Sequence, residues 1–310
     1  VAQPLYYNPR LFDAVTTVTL DVNGQQFALA PGAPMVMGIV NTNPGSFSDK
    51  KYLATTEEQY AFAMQLVEAG AGIIDVGTDS GVTYGDPIPV ADQVNAAVPL
   101  VSRLSAAGVP VSVDTVVLDV VNAVLDCGAA IINDVSGLAD VNIAYACAKF
   151  NAGLVILHTR VPHKTEAFLD FDDVVADIEA LFSQQIARAL DAGVAYENLV
   201  LDPGLGYSKK PEDDVTLLRA YPTFAARNLA ILTGASRKYY TGVITRAAPP
   251  DRLPETLATV ETVRAFPGFV RVHDVDEVAR FLAVRETLDG LRQLPDYSTD
   301  EAGLKWVSRT

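Results

Sequence analysis

Between residues 35 and 272 short apolar runs alternate with longer amphipathic stretches. Eight runs stand out: 35–40, 73–76, 109–113, 130–132, 154–157, 199–201, 229–232 and 269–272. Most are almost continuously apolar rather than alternating. That is the pattern of parallel strands, because crossover helices cover both faces of the sheet. The intervening stretches are helical in pattern: 55–69, 92–104, 116–125, 140–149, 172–192, 213–220, 253–265 and 275–289. The first opens on Thr55-Thr56-Glu57-Glu58, a cap with acids in its first turn, and closes on Gly70. Eight strand–helix units in about 240 residues predict an α/β fold, a (β/α)8 TIM barrel. A doubly wound open sheet is the alternative. Against it, no Gly-x-Gly-x-x-Gly follows the first strand.

The flanks read as additions to the barrel. Residues 17–29 alternate around Asn23-Gly24, a two-residue hairpin signal, and this hairpin is expected to plug the barrel bottom. The chain thus divides into an N-terminal extension with a β-hairpin (1–34), the barrel (35–293) and a polar C-terminal tail (294–310).

Composition narrows the function. Of 310 residues 49% are apolar and 20% charged, which excludes a disordered chain and leaves mass for a large core. With 23 Lys and Arg against 38 Asp and Glu, the formal charge is −15. Nucleic acids and anionic membranes need clustered cations, so neither is an expected partner. An anionic substrate must be held by a few local cations against the global field. Cys127 and Cys147 are too few for a disulfide scaffold or a thiolate metal site, and both are expected to be small buried residues. The first ten residues lack a signal pattern, and no apolar run approaches the ~18–20 residues that span a bilayer. The expectation is a soluble cytoplasmic protein.

Candidate chemistry gathers where the strands end. In an α/β barrel, side chains at the carboxyl ends of the strands share one mouth. The exits carry Asn41, Asp75, Asp114, Asn133-Asp134, His158, Asp202, Ser236-Arg237-Lys238 and Arg271-His273-Asp274. A single such residue is ordinarily a helix cap. Polar residues at all eight exits describe a mouth, expected to have acceptors on one side (Asp114, Asn133, Asp202) and cations on the other (Lys238, Arg271, His273). That split suits a two-ended substrate. A carboxylate accepts two parallel N–H bonds from an amidine-like edge of a flat heterocycle, and cations suit a diphosphate. Asn41 offers a carbonyl oxygen to Mg2+, which prefers few protein ligands plus substrate phosphates. His158 and His163 lack the further ligands of a zinc site. The pair Lys209-Lys210 reads as a solvated loop.

Seven blocks, in order and spacing, resemble the dihydropteroate synthase family. They are Met37-Gly38-Ile39-Val40-Asn41 with Ser46-Phe47-Ser48-Asp49, Ala71-Gly72-Ile73-Ile74-Asp75-Val76-Gly77, Val111-Ser112-Val113-Asp114-Thr115, and Ile131-Ile132-Asn133-Asp134-Val135-Ser136-Gly137. Leu201-Asp202-Pro203-Gly204-Leu205-Gly206, Ser236-Arg237-Lys238 and Arg271-Val272-His273-Asp274-Val275 complete the set. The resemblance implies a transferase that joins 6-hydroxymethyl-7,8-dihydropterin diphosphate to p-aminobenzoate and releases diphosphate. It implies that Asp114, Asn133, Asp202 and Lys238 hold the pterin, and that Asn41 with Mg2+, Arg271 and His273 hold the diphosphate. Lys238, Arg271 and His273 would be the catalytic set, with Ser236 and Arg237 beside p-aminobenzoate. It also implies a homodimer. Two loops depart from the family: Asn43 and Gly45 replace Thr and Asp, and Gly81 and Val82 replace Thr and Arg. An active synthase with variant loops is therefore weighed against a pterin-binding paralogue, inactive or using another nucleophile. A pterin-dependent methyltransferase is the third reading.

Overall fold

Asn23 and Gly24 turn the chain from β1 (Val18–Val22) into the antiparallel β2 (Gln25–Leu29). Both take positive φ, +46° and +73°, so the turn's twist matches that of the strands. The computed structural model describes residues 16–42, 53–79, 88–165 and 167–294. The expectations that fall on residues 1–15, on Asn43, Gly45, Gly81 and Val82, and on the tail from residue 295 lie outside the described residues.

The eight apolar runs form one closed parallel barrel: β3 (Met35–Asn41), β4 (Ile73–Gly77), β5 (Val111–Asp114), β6 (Ile131–Asp134), β7 (Gly153–Leu157), β8 (Leu199–Asp202), β9 (Ala230–Gly234) and β10 (Gly268–Val272). Neighbours in sequence pair in space, and β10 closes on β3. Several strands run past the apolar residues onto the polar exits, because the backbone ladder ignores side-chain polarity. Gly77, Asp114 and Asn133 stand side by side in register.

The outer layer is α1 (Thr56–Glu68), α2 (Val90–Ala106), α3 (Leu118–Asp126), α4 (Asn142–Phe150), α5 (Val174–Asp191), α6 (Pro211–Arg219), α7 (Tyr221–Ala225), α8 (Tyr239–Thr245), α9 (Leu253–Val263) and α10 (Val275–Leu288). Thr55 caps α1 in a reciprocal box with Glu58, as its sequence predicts. The helices α7 and α8 are additional to the expected set. Each is too short to show a period, and Lys238 leads directly into α8. Among the described residues no helix is long and apolar enough to cross a membrane. Cys147 is buried in α4 as expected, whereas Cys127 is only half-buried at the end of α3.

The period-two alternation hidden in the apolar runs sorts each strand in space. Outward residues such as Val36, Ile74, Val113, Ile156, Leu201 and Val272 pack into the layer beneath the helices. Inward residues Met37, Ile73, Ile131, Val155, Val200, Leu232 and Phe269 form a separate core with Leu20, Val22, Phe27 and Leu29 of the hairpin. The hairpin thus plugs the bottom, with Phe27 edge-on to Phe269 at 6.0 Å. Asn198 ties it there, donating to the Asp21 carbonyl (2.9 Å) and accepting the Asp21 N–H (3.1 Å).

Candidate active site

On four of the eight strands the inward face turns polar two residues above its apolar floor position. Ile73 is followed by Asp75, Ile131 by Asn133, Val200 by Asp202 and Phe269 by Arg271. The fold therefore stacks a charged layer directly on a dry one, at the carboxyl ends of the strands.

At the centre is an ion-pair cluster. Arg271 Nε donates to Asp75 Oδ2 at 2.6 Å and its Nη2 donates to Asp114 Oδ2 at 3.1 Å. Asn133 Nδ2 also donates to Asp75 Oδ2, at 3.3 Å. This corrects the expected separation of acceptors from cations. Arg271 lies among the acids because β10 sits one strand from β4 across β3, and all three point inward. Burial by itself lowers the Arg271 pKa, but Asp75 and Asp114 more than reverse this and push it up. Burial pushes the Asp114 carboxyl up to about 7, against the pull of Arg271. Asp75 is fully buried, and the sequence reading places it at a strand exit without giving it a part in holding substrate. Its signal in the sequence was its parity with Ile73. The second oxygen of Asp75 and the amide oxygen of Asn133 are buried without a partner among the described residues. Unsatisfied acceptors in a dry site are costly unless a ligand donates to them.

Asp202 and Lys238 form the second group. Asp202 Oδ1 accepts the Gly204 N–H at 2.7 Å, and Gly204 takes φ +71°, where a Cβ would collide with the His158 carbonyl. Burial raises the Asp202 pKa, opposed by that N–H and by Lys238. Lys238 Nζ donates to the Leu205 carbonyl at 2.7 Å and lies 5.6 Å from the centre of the Tyr207 ring. Burial lowers its pKa, opposed by Asp202 and Asp214. Lys209 corrects the expectation of a solvated loop. It is 1% exposed, and its Nζ donates to the carbonyls of Gly204 (3.0 Å), Tyr207 (3.1 Å) and His158 (3.2 Å). It braces the β8 loop from within, and burial holds its pKa down at about 8.

The remaining candidates line the rim. Asn41 ends β3, and its amide oxygen lies against Gly77, where a Cβ would collide with it. Burial, with the charges of Arg271 and Arg237 beside it, pushes His273 down to about 3, so its ring is neutral near pH 7 in the ligand-free protein. Its backbone N–H donates to Ser236 Oγ at 3.0 Å. Arg237 takes φ +56° and pairs with Asp274 at 2.8 Å. Across the mouth, Lys164 pairs with Asp79 at 2.5 Å, a link between the β7 and β4 exits that sequence reasoning missed. His158 is fully buried, with Nε2 at 2.7 Å from Asp177 Oδ1, and burial lowers its pKa to about 4.

A model described as pterin binding enzyme matches residues 37–273. The dihydropteroate synthase of Synechocystis sp. is 32% identical over 260 residues, spanning 82% of this chain and 89% of that protein. The solved dihydropteroate synthase of Xanthomonas albilineans with 4-aminobenzoic acid aligns with a TM-score of 0.79 at 32% identity, covering 90% of this chain and 100% of that one. The same enzyme in complex with 7,8-dihydropteroate gives a TM-score of 0.75 at 32% identity, covering 89% and 100% of the two chains.

Proposed function

The chain belongs to the pterin binding enzyme family, and from that membership we propose how its barrel mouth divides the work. The reaction is that of a dihydropteroate synthase: condensation of 6-hydroxymethyl-7,8-dihydropterin diphosphate with p-aminobenzoate, with release of diphosphate, a step of folate biosynthesis. One observation carries the assignment of roles: a layer of Asp75, Asp114, Asn133, Asp202 and Arg271 lies directly on an apolar floor. A flat ring rich in N–H donors needs acceptors of that kind above a dry base.

In this reading Asp114, Asn133 and Asp202 accept hydrogen bonds from the pterin, and Lys238 closes over it beside Tyr207. Arg271 has two tasks: it holds Asp75 and Asp114 in place and turns its remaining face to the diphosphate. His273 serves the same group as a hydrogen-bonding side chain. Ser236, which accepts the His273 N–H, and Arg237, held by Asp274, stand on the side of p-aminobenzoate. Charge develops as the carbon–oxygen bond to diphosphate breaks. Acids beneath the pterin methylene stabilise the cationic side, and polar groups at the rim stabilise the leaving group. The arylamine nitrogen then attacks that carbon and loses a proton, without a covalent enzyme intermediate.

Mg2+ belongs to this reading. Among the described residues no three His, Cys, Asp or Glu side chains form a metal cage. A single amide oxygen, that of Asn41, fits an ion held mainly by substrate phosphates. When bound, the ion neutralises the leaving diphosphate. The reading also carries a homodimer and a cytoplasmic setting. The exposed side chains of Tyr239 and Ile244 on α8 support an apolar contact with a second copy, and two free thiols suit a reducing compartment.

The test is diphosphate release by the purified protein with pterin diphosphate, Mg2+ and p-aminobenzoate, alongside calorimetric binding of the pterin. Release that depends on p-aminobenzoate is the expected result. Pterin binding without release would replace the synthase with a pterin-binding paralogue. Asp202→Ala should abolish pterin binding, and unchanged affinity would sink the pocket assignment.

A further inference from the structure

Two buried glutamines occupy the same place in consecutive units of the barrel. Gln59 is the fourth residue of α1 and Gln93 the fourth of α2. They are 4% and 2% exposed, on helix faces that otherwise bury Ala63, Leu66, Ala97 and Leu100. A buried amide on such a face is costly unless both its ends are bonded, so what each one holds is informative. Gln59 Nε2 donates to the Leu53 carbonyl at 3.1 Å and to the Thr42 carbonyl at 3.4 Å. Gln93 Nε2 donates to the Ile88 carbonyl at 2.9 Å, and its Oε1 accepts from Thr78 Oγ1 at 3.3 Å. Each side chain therefore ties the residue just beyond a barrel strand to the chain entering the next helix.

The two strand-end residues lead to different parts of the mouth. Thr42 follows Asn41, and its N–H and hydroxyl both lie 3.0 Å from the Gly77 carbonyl, beside the glycine against which the Asn41 amide rests. Thr78 donates its N–H to the Asp114 carbonyl at 3.3 Å, with its hydroxyl at 3.2 Å from the same oxygen. One relay thus runs from Gln59 through Thr42 to Asn41, and the other from Gln93 through Thr78 to Asp114.

We propose that Gln59 and Gln93 are positioning residues for the two ends of the substrate, Gln59 setting Asn41 for the diphosphate and Gln93 setting Asp114 for the pterin ring. Neither touches substrate; each acts through the backbone of a strand end. The inference rests on the assignment of Asn41 and Asp114 under the proposed function. It adds that the two ends are tuned separately, from outside the barrel.

Methionine is nearly the size of glutamine and lacks the amide, so Gln59→Met and Gln93→Met remove the bonds and keep the volume. Calorimetry with 6-hydroxymethyl-dihydropterin and with its diphosphate, together with steady-state diphosphate release, separates the roles. Gln93→Met should weaken both pterin forms about 5- to 10-fold, the loss expected of one or two buried hydrogen bonds. Gln59→Met should leave the plain pterin within about two-fold and raise KM for the diphosphate form about 5-fold or more. Thr78→Val cuts the second relay from its other end. It should reproduce Gln93→Met, and the double variant should be no worse than either single one. Gln59→Leu serves if the methionine variant does not fold. Lower thermal stability with unchanged affinities and KM would make both glutamines merely structural and overturn the proposal. Additive losses in the Gln93–Thr78 cycle would overturn the second relay. A wild-type protein that binds neither pterin form would overturn the functional assignment itself, and the proposal with it; a wild type that binds both while the variants match it overturns the proposal alone.

Discussion

Arg271 bonds two carboxylates from strands that no local pattern links to it, and this changes what its removal should do. The sequence suggests that losing it would harm mainly the diphosphate form of the substrate. With Asp75 and Asp114 left unpaired, Arg271→Met should weaken the plain pterin and its diphosphate alike. It should also cost about 3 kcal/mol of stability, the order expected when a buried pair loses one partner, as measured by urea unfolding. Asp114 makes a separate prediction. Its pKa is raised from the ordinary 3.8 to about 7 by burial, so its carboxylate fraction shrinks as pH falls through 7. Pterin affinity should therefore decline between pH 8 and pH 6, and Asp114→Asn should bind weakly with no such slope. The sign for stability is the reverse. Between 3.8 and about 7 the folded ligand-free protein holds the Asp114 proton that the unfolded chain has released. Asp114 therefore favours folding least above pH 7, and this cost is relieved as pH falls toward 4. Legibility at this scale was uneven. Asp114, Asn133 and Asp202 stood out at or next to the ends of their strands, and Lys238 in the loop that follows β9. Asp75 was read at an exit but given no role, since it lies inside its strand, and Lys209 read as solvent-exposed because a Lys-Lys pair usually is.

At the scale of elements, legibility followed signal length. The strand–helix alternation, the Thr55 cap and the Asn23-Gly24 hairpin all matched expectation because each is fixed by neighbours a few residues away. The helices α7 and α8 escaped, having five and seven residues and no measurable period. The hairpin makes its own prediction. Leu20 is fully buried in the core that seals the barrel bottom, far from the carboxyl ends of the strands. Leu20→Ala should cost about 2–5 kcal/mol in unfolding free energy, the range for a core leucine. KM for both substrates should stay at the wild-type value. A change in KM at full folding would mean that the floor also shapes the site.

For the whole molecule the dominant fact is the charge of −15 on a fold whose substrate is anionic. Surface self-repulsion is screened by salt, with a Debye length of about 10 Å at 0.1 M, whereas buried pairs such as Arg264 with Asp289 are screened far less. The melting temperature should therefore rise as NaCl increases from 0.02 M to about 0.5 M. KM for the diphosphate form should fall over the same range as the global repulsion of an anion is screened. A melting temperature indifferent to salt would show that the acidic surface does not strain the fold.

The sequence by itself determined the barrel, its polar exits and the family, because period, capping and strand length are local properties and the exits follow from them. It did not determine which exits meet. Arg271 and Asp75 are 196 residues apart, and Lys164 and Asp79 are 85 apart. Only the closure of β10 onto β3 brings the first pair within reach, and only the crossing of the β7 exit toward the β4 exit makes the second. The parity of a strand decides whether a side chain faces inward. The register between strands, set by closing the barrel, decides what it faces there.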